Sequence, residues 1–219
     1  MARGEVLADP GLADGLGGGD RQAQILIDHL KVDGMGCIKS PVSRDALPAL
    51  FEALGYTRGV EIGVERGHYT KTLLTDTTFS LIAVDAWKAY RGYREHVSQT
   101  RLDDFHVETK ERLKAFDMRV SIEKGWSVDV AKTVPDKLMD FVYIDGNHTL
   151  PQVIADLHAW IPKVKPGGII AGHDYRKFQH GYPCHVIEAV SAWHDCYGEP
   201  EKWWLTMGDK SPSYLWVKP

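Results

Sequence analysis

From about residue 55 onward, two rhythms of apolar and polar positions take turns: short unbroken apolar runs, and longer stretches whose apolar residues fall three or four apart. A strand buried on both faces gives the first and an amphipathic crossover helix the second, so the pattern predicts a parallel sheet clothed by helices. The runs place strands at residues 58–62, 80–84, 119–123, 140–144, 168–171, 203–206 and 214–217, and helices at 68–74, 103–116, 127–132, 150–160 and 185–196. The last two strands leave no room for a helix between them and should pair as an antiparallel hairpin. The expected fold is α/β and Rossmann-like: seven strands, mostly parallel, with an antiparallel C-terminal hairpin and helices on both faces.

Ahead of this region the pattern is weaker. Residues 1–20 hold many glycines among Asp and Ala and little apolar surface to offset the entropy of ordering them, so they read as a flexible leader. Residues 21–57 read as a helical cap, with amphipathic stretches at 22–30 and, behind Ser43, at 46–54. Residues 58–219 carry the sheet.

Open parallel sheets bind ligands outside the carboxyl ends of their strands. Two runs end in groups fit for chemistry there: F-V-Y-I-D-G-N-H, residues 141–148, and G-G-I-I-A-G-H-D-Y, residues 167–175, which deliver Asp145, His148, His173 and Asp174 to one rim. A third, G-V-E-I-G-V-E-R-G-H-Y-T-K, residues 59–71, sets Glu61, Gly63 and Gly67 at the turn from the 58–62 strand into the next helix. Glycines there let the backbone approach a ligand closely. The acidic start suits a cationic amine better than the pyrophosphate that G-x-G-x-x-G would hold. The 80–84 strand runs into Asp85, where such sheets hold the two hydroxyls of a ribose.

Composition narrows the field. With 219 residues, 43% hydrophobic and 26% charged, the chain can bury one substantial core. A net charge of −4 with dispersed Lys and Arg gives no basic field for a phosphate backbone, which disfavours nucleic acid as a substrate. Three cysteines at irregular spacing, Cys37, Cys184 and Cys196, suit free thiols in a reducing compartment. No apolar run approaches the roughly 20 residues of a membrane span, so no membrane partner and a cytoplasmic location are expected. Surplus tryptophans and the leader suggest a homodimer.

Taken in order, V-E-I-G-V-E-R-G, L-I-A-V-D-A-W, F-V-Y-I-D-G-N-H and V-K-P-G-G-I-I-A-G-H-D-Y resemble the class I S-adenosylmethionine-dependent methyltransferases over about residues 55–217. Within these, I-D-G-N-H followed by G-G-I-I-A-G-H-D-Y is most similar to the family 24 type small-molecule O-methyltransferases, related to the catechol and macrolide-sugar enzymes. The resemblance implies that Glu61, Gly63 and Gly67 surround the methionine part of the cofactor, with Asp85 on the ribose and Trp87 near it. In K-G-W-S, Gly125, Trp126 and Ser127 match the segment lining the adenine edge, and Asp145 borders the cofactor as well. Metal-dependent members place carboxylate ligands at the positions of Asp145 and of the pair His173 and Asp174, while His148 stands where the catechol enzymes keep a general base.

The chemistry this implies is methyl transfer from the sulfonium of S-adenosyl-L-methionine to a hydroxyl of a small acceptor, with Asp145, His148 and His173 as catalytic groups. A divalent metal, Mg²⁺ or Mn²⁺, held by Asp145, His173 and Asp174 would lower the pKa of that hydroxyl, and an imidazole would take its proton. An imidazole at His173 departs from an all-oxygen set, which admits softer ions or a metal-free base. Three other readings stay open on sequence: a metal-independent O- or N-methyltransferase, a cofactor-binding protein without catalysis, and a nicotinamide dehydrogenase. Two segments, 87–101 and 175–184, mix aromatic and basic residues beside the rim and are expected to recognise the acceptor.

Overall fold

The computed structural model describes residues 18–90, 97–177, 183–198 and 200–219. In chain order the elements are α1 (Gly18–Leu30), β1 (Gly36–Ser40), α2 (Leu47–Ala53), β2 (Arg58–Ile62), α3 (His68–Leu74), β3 (Ser80–Asp85), α4 (Gln99–Leu113), β4 (Val120–Lys124), α5 (Ser127–Ala131), β5 (Met139–Ile144), α6 (Leu150–Trp160), β6 (Val164–Gly172), α7 (Val186–Tyr197), β7 (Lys202–Thr206) and β8 (Ser213–Val217). The strands form one sheet in the order β1-β7-β8-β6-β5-β2-β3-β4. β8 runs antiparallel to both β6 and β7, and every other pairing is parallel.

The expected mixed sheet, hairpin and two helical layers are all present, with one correction. The sheet has eight strands rather than seven, because β1 lies inside the stretch read as a purely helical cap. Only Ile38 and Ser40 of β1 are buried, and Ser40 Oγ donates to Leu30 O, so half of the strand's inward face is polar and carries no apolar rhythm. α1 also begins earlier than expected and takes in residues 18–20 of the leader. The rest of that leader, residues 1–17, lies outside the described residues, as do 91–96 and 178–182 of the two segments expected to recognise the acceptor.

Alternation along β5 shows how the core is divided. Val142 and Ile144 face a layer with Val153, Leu157 and Trp160 of α6 and Ala189 and Val190 of α7. Phe141 and Tyr143 face the opposite layer with Leu30 of α1, Leu50 and Phe51 of α2, and Leu73 of α3. All six residues of β5 are buried, as a central parallel strand requires. Phe141 stacks on Phe51 at 4.1 Å between ring centroids and occupies the space a side chain at Gly59 would need.

Candidate active site

Lateral hydrogen bonds carry the sheet past its strand ends and fix the rim. His173 N–H donates to Ile144 O (2.9 Å), Asp145 N–H to Ile62 O (2.8 Å), Gly63 N–H to Val84 O (2.8 Å) and Gly125 N–H to Asp85 O (2.9 Å). The residues following β6, β5, β2 and β4 are thus each tied to a neighbouring strand's end, which joins five strand ends in one row and brings the sequence-derived candidates together. At Gly63 the approach is closest: φ is +90°, and a Cβ there would lie 2.0 Å from Asp145 O. Only glycine permits that crossing of β2 and β5 backbones.

Beside this crossing lies a cavity of about 420 Å³, within the range of small-molecule sites. Gly63, Asp85, Gly125, Trp126, Ser127, Asp145, Gly146, Asn147 and Asp156 are among its lining residues. Among the described lining residues, carboxylates of Asp85, Asp129, Asp145 and Asp156 outweigh the one cation, Lys88, which favours a positively charged ligand over a pyrophosphate. Asp85 is held by backbone: Oδ2 accepts from Glu65 N–H (2.9 Å) and Oδ1 from Trp87 N–H (2.8 Å). At the mouth Tyr90 meets Trp126 edge to face at 4.9 Å, and its hydroxyl accepts from Asn147 Nδ2 at 2.8 Å.

Other residues expected at the cofactor lie behind the lining. Glu61 is buried on β2, and its Oε2 has no hydrogen-bond partner among the described residues. Burial pushes its pKa up to about 8, against the opposing pull of the Thr70 hydroxyl. Gly67, with φ of +72°, turns the chain into α3 and does not border the cavity. Trp87 is likewise turned away from it: the ring stacks on His106 at 4.4 Å among Val64, Leu102 and Phe105, and Nε1 donates to Glu65 O at 2.7 Å. Its link to Asp85 is through the backbone rather than the ring.

Asp145 also belongs to a second group. His148 Nε2 lies 3.5 Å from Asp145 Oδ1 and 3.2 Å from Asp174 Oδ2, and donor atoms of the three residues all fall within 4.8 Å of one another. Two carboxylates and an imidazole in that space fit a divalent ion such as Mn²⁺ or Mg²⁺. Ser211 Oγ donates to Asp174 Oδ1, fixing that carboxylate, and Asp174 takes a left-handed φ of +56°. His173, expected as a ligand, points elsewhere: its Nδ1 is 3.0 Å from Ser213 Oγ, which in turn is 2.8 Å from Tyr143 OH. Burial holds its pKa below the ordinary histidine value, opposed by the nearby Asp145 and Asp174. His148 stands in the cluster where sequence placed His173.

Two residues escaped the sequence reading. Arg44 Nη1 pairs with Asp145 Oδ2 at 3.2 Å, and the guanidinium lies 4.5 Å from the Tyr69 ring centroid. It comes from beyond the strand-end motifs, so no local signal marked it. Asp156 of α6 is buried, bonded to Ser127, and pushed by burial up to about 6. Trp160 Nε1 donates to Ser127 Oγ at 2.7 Å, which turns the serine proton toward Asp156. Its i, i+4 spacing from Trp160 on one helical face was the available clue.

Comparison with known proteins agrees with this fold. The chain shares 15% identity and a TM-score of 0.59 with the O-methyltransferase TomG from Streptomyces achromogenes, involved in tomaymycin synthesis and solved with S-adenosylmethionine, over 95% of this chain and 93% of that one. An O-methyltransferase from Bacillus cereus in complex with S-adenosylhomocysteine gives 16% identity and a TM-score of 0.58, covering 95% and 94% of the two chains. At these identities the likeness shows a common fold. A curated relative, the uncharacterized protein y4gI of Sinorhizobium fredii, is 25% identical over 138 residues, 61% of this chain. The chain spans 15% of the length of that relative. A sequence model of the family 24 methyltransferase domain matches residues 60–175, the span that carries Glu61, Gly63, Asp85, Asp145, His148 and Asp174, and the chain belongs to that family.

Proposed function

We propose that this protein transfers a methyl group from S-adenosylmethionine to a hydroxyl of a small molecule, with a divalent ion held at the rim. One observation carries the reading: Asp145 lines the cavity and is also a member of the Asp145–His148–Asp174 group, so donor and acceptor sites share a wall. The donor, when bound, supplies a methyl on sulfonium, and the ion, when bound, supplies Lewis acidity that lowers the hydroxyl pKa. The rest falls to the chain. Asp85 offers a negative group to a ribose diol, Glu61 keeps a buried carboxyl behind the turn that a bound cationic amine would ionise, Gly63 lets the backbone approach, and Asp145 with Asp174 would hold the ion. His148 accepts the acceptor's proton as the new O–CH₃ bond forms and the S–CH₃ bond breaks, leaving a neutral thioether.

A second reading, methyl transfer without metal and with His148 as base, is favoured by the Arg44–Asp145 ion pair, which already neutralises one carboxylate. Calorimetric titration of S-adenosylmethionine, with and without Mg²⁺ or Mn²⁺, followed by a screen of catechols and sugar hydroxyls, tests both. Asp145→Asn is expected to lower turnover by about a hundredfold or more while S-adenosylhomocysteine still binds. Chelator-resistant turnover selects the second reading, and failure to bind S-adenosylmethionine overturns both.

A further inference from the structure

The position of Arg44 is determined by the far edge of the sheet. Pairing of β1 with β7 continues past both strands: Met207 N–H donates to Ser40 O (2.7 Å) and Gly208 N–H to Val42 O (2.9 Å). A Cβ on Gly208 would come within 2.6 Å of Ser43 N, so its absence admits the 42–43 backbone. Asp209 Oδ2 then accepts Arg44 N–H at 2.7 Å, and Tyr69 OH donates to Arg44 O at 3.0 Å. Held at both main-chain groups, Arg44 extends its guanidinium across the Tyr69 ring to Asp145 Oδ2. Its side chain is 29% exposed and that of Asp145 21%, so water screens the pair only in part.

We propose that Arg44 is a tethered counter-ion on Asp145 that a divalent cation must displace, so that Arg44 sets the affinity with which the Asp145 and Asp174 carboxylates hold the cation beside His148. The inference rests on the metal-assisted reading. A guanidinium carries its charge at any pH the fold survives, so it cannot yield the carboxylate by losing a proton. A divalent ion entering beside it meets both an occupied acceptor oxygen and a like charge a few ångströms away. The tether makes this competition intramolecular, with an effective local concentration that free cations in solution do not reach. In the absence of the ion the same contact relieves repulsion between Asp145 and Asp174, which keeps the group assembled.

Manganese titration of the full chain, with free Mn²⁺ followed by electron paramagnetic resonance, tests this on the wild type, Arg44→Gln and Arg44→Lys. Arg44→Gln keeps a polar side chain and removes the charge, and it should bind Mn²⁺ about ten- to a hundredfold more tightly. Arg44→Lys keeps the charge and loses the planar fork and ring contact, so its affinity should fall between the two. Thermal melts of the ion-free proteins confirm folding, and Asp145→Asn in the Arg44→Gln background should abolish the gain. Equal or weaker Mn²⁺ binding by Arg44→Gln, with the wild type binding normally, overturns the role of Arg44 alone. Absence of Mn²⁺ binding in every variant, with S-adenosylhomocysteine still bound, overturns the metal-assisted reading and this inference with it.

Discussion

The two flanks of the sheet on either side of β5 differ in what lies beside their strand ends. On the β2-β3-β4 flank, Gly63 and Gly125 leave out side chains, backbones cross at close range, and a cavity opens beside them. On the β6-β8-β7-β1 flank, Trp203, Trp204, Tyr214 and Trp216 fill the corresponding layers, with Tyr214 stacked on Trp216 at 5.7 Å. The filled flank presents polar groups at its rim: Ser211, Ser213, Asp209 and Arg44 position or pair with the carboxylates and imidazoles of the site. Close glycine approaches occur on both flanks, at Gly172 and Gly208 as at Gly63, but Gly63 and Gly125 are the ones that border the cavity. The candidate site sits where the two meet.

The sharpest way to break this contrast is to add one methyl group. Gly63→Ala combines a positive φ with a Cβ 2.0 Å from Asp145 O, so the β2 and β5 ends must separate. S-adenosylhomocysteine affinity is expected to fall at least about a hundredfold, with a loss of about 3 kcal/mol of stability, read by calorimetry and denaturant unfolding. Binding within threefold of wild type and an unchanged unfolding midpoint would show that the crossing can relax. On the filled flank, Trp216→Leu removes a ring that also meets His194 at 5.0 Å, and should cost about 2–4 kcal/mol while leaving cofactor affinity nearly intact. If affinity falls in proportion, the flanks are coupled.

A third test sharpens the comparison through pH. Buried Glu61 has its pKa raised from 4.5 to about 8, so its contribution to stability is fully present below the lower value and is lost as pH rises through the upper one. Glu61→Gln cannot ionise. Relative to wild type it should gain stability progressively between roughly pH 5 and pH 8.5, seen as diverging melting temperatures in a pH series. Parallel curves would mean that Glu61 is ionised and neutralised in the folded chain.

Legibility in the sequence followed the same division. β2, α3 and α6 keep the expected bounds because central strands and their crossover helices write clean apolar periods. β1 did not, since Ser40 fills an inward position and satisfies its hydroxyl on Leu30 O. At the site, Asp145, His148 and Asp174 were legible as strand-end residues, and their convergence is what the geometry adds. The relative placing of His148 and His173 was not legible, because it depends on the left-handed turn at Asp174 and on Ser213 reaching His173 from β8. Arg44 was hidden for a related reason: its position depends on β7 and the 207–209 turn, far along the chain.

That last dependence has a consequence in time. Ile38 pairs with Trp204, so β1 waits on a strand made after β6, when the β2-to-β6 region can already pair internally. During translation the chain therefore passes through a stage in which the cavity-bearing flank can form while Arg44 has no β7 to anchor it. Closing the far edge of the sheet brings Arg44 to Asp145, so the site acquires its fixed cation only once β7 is in place.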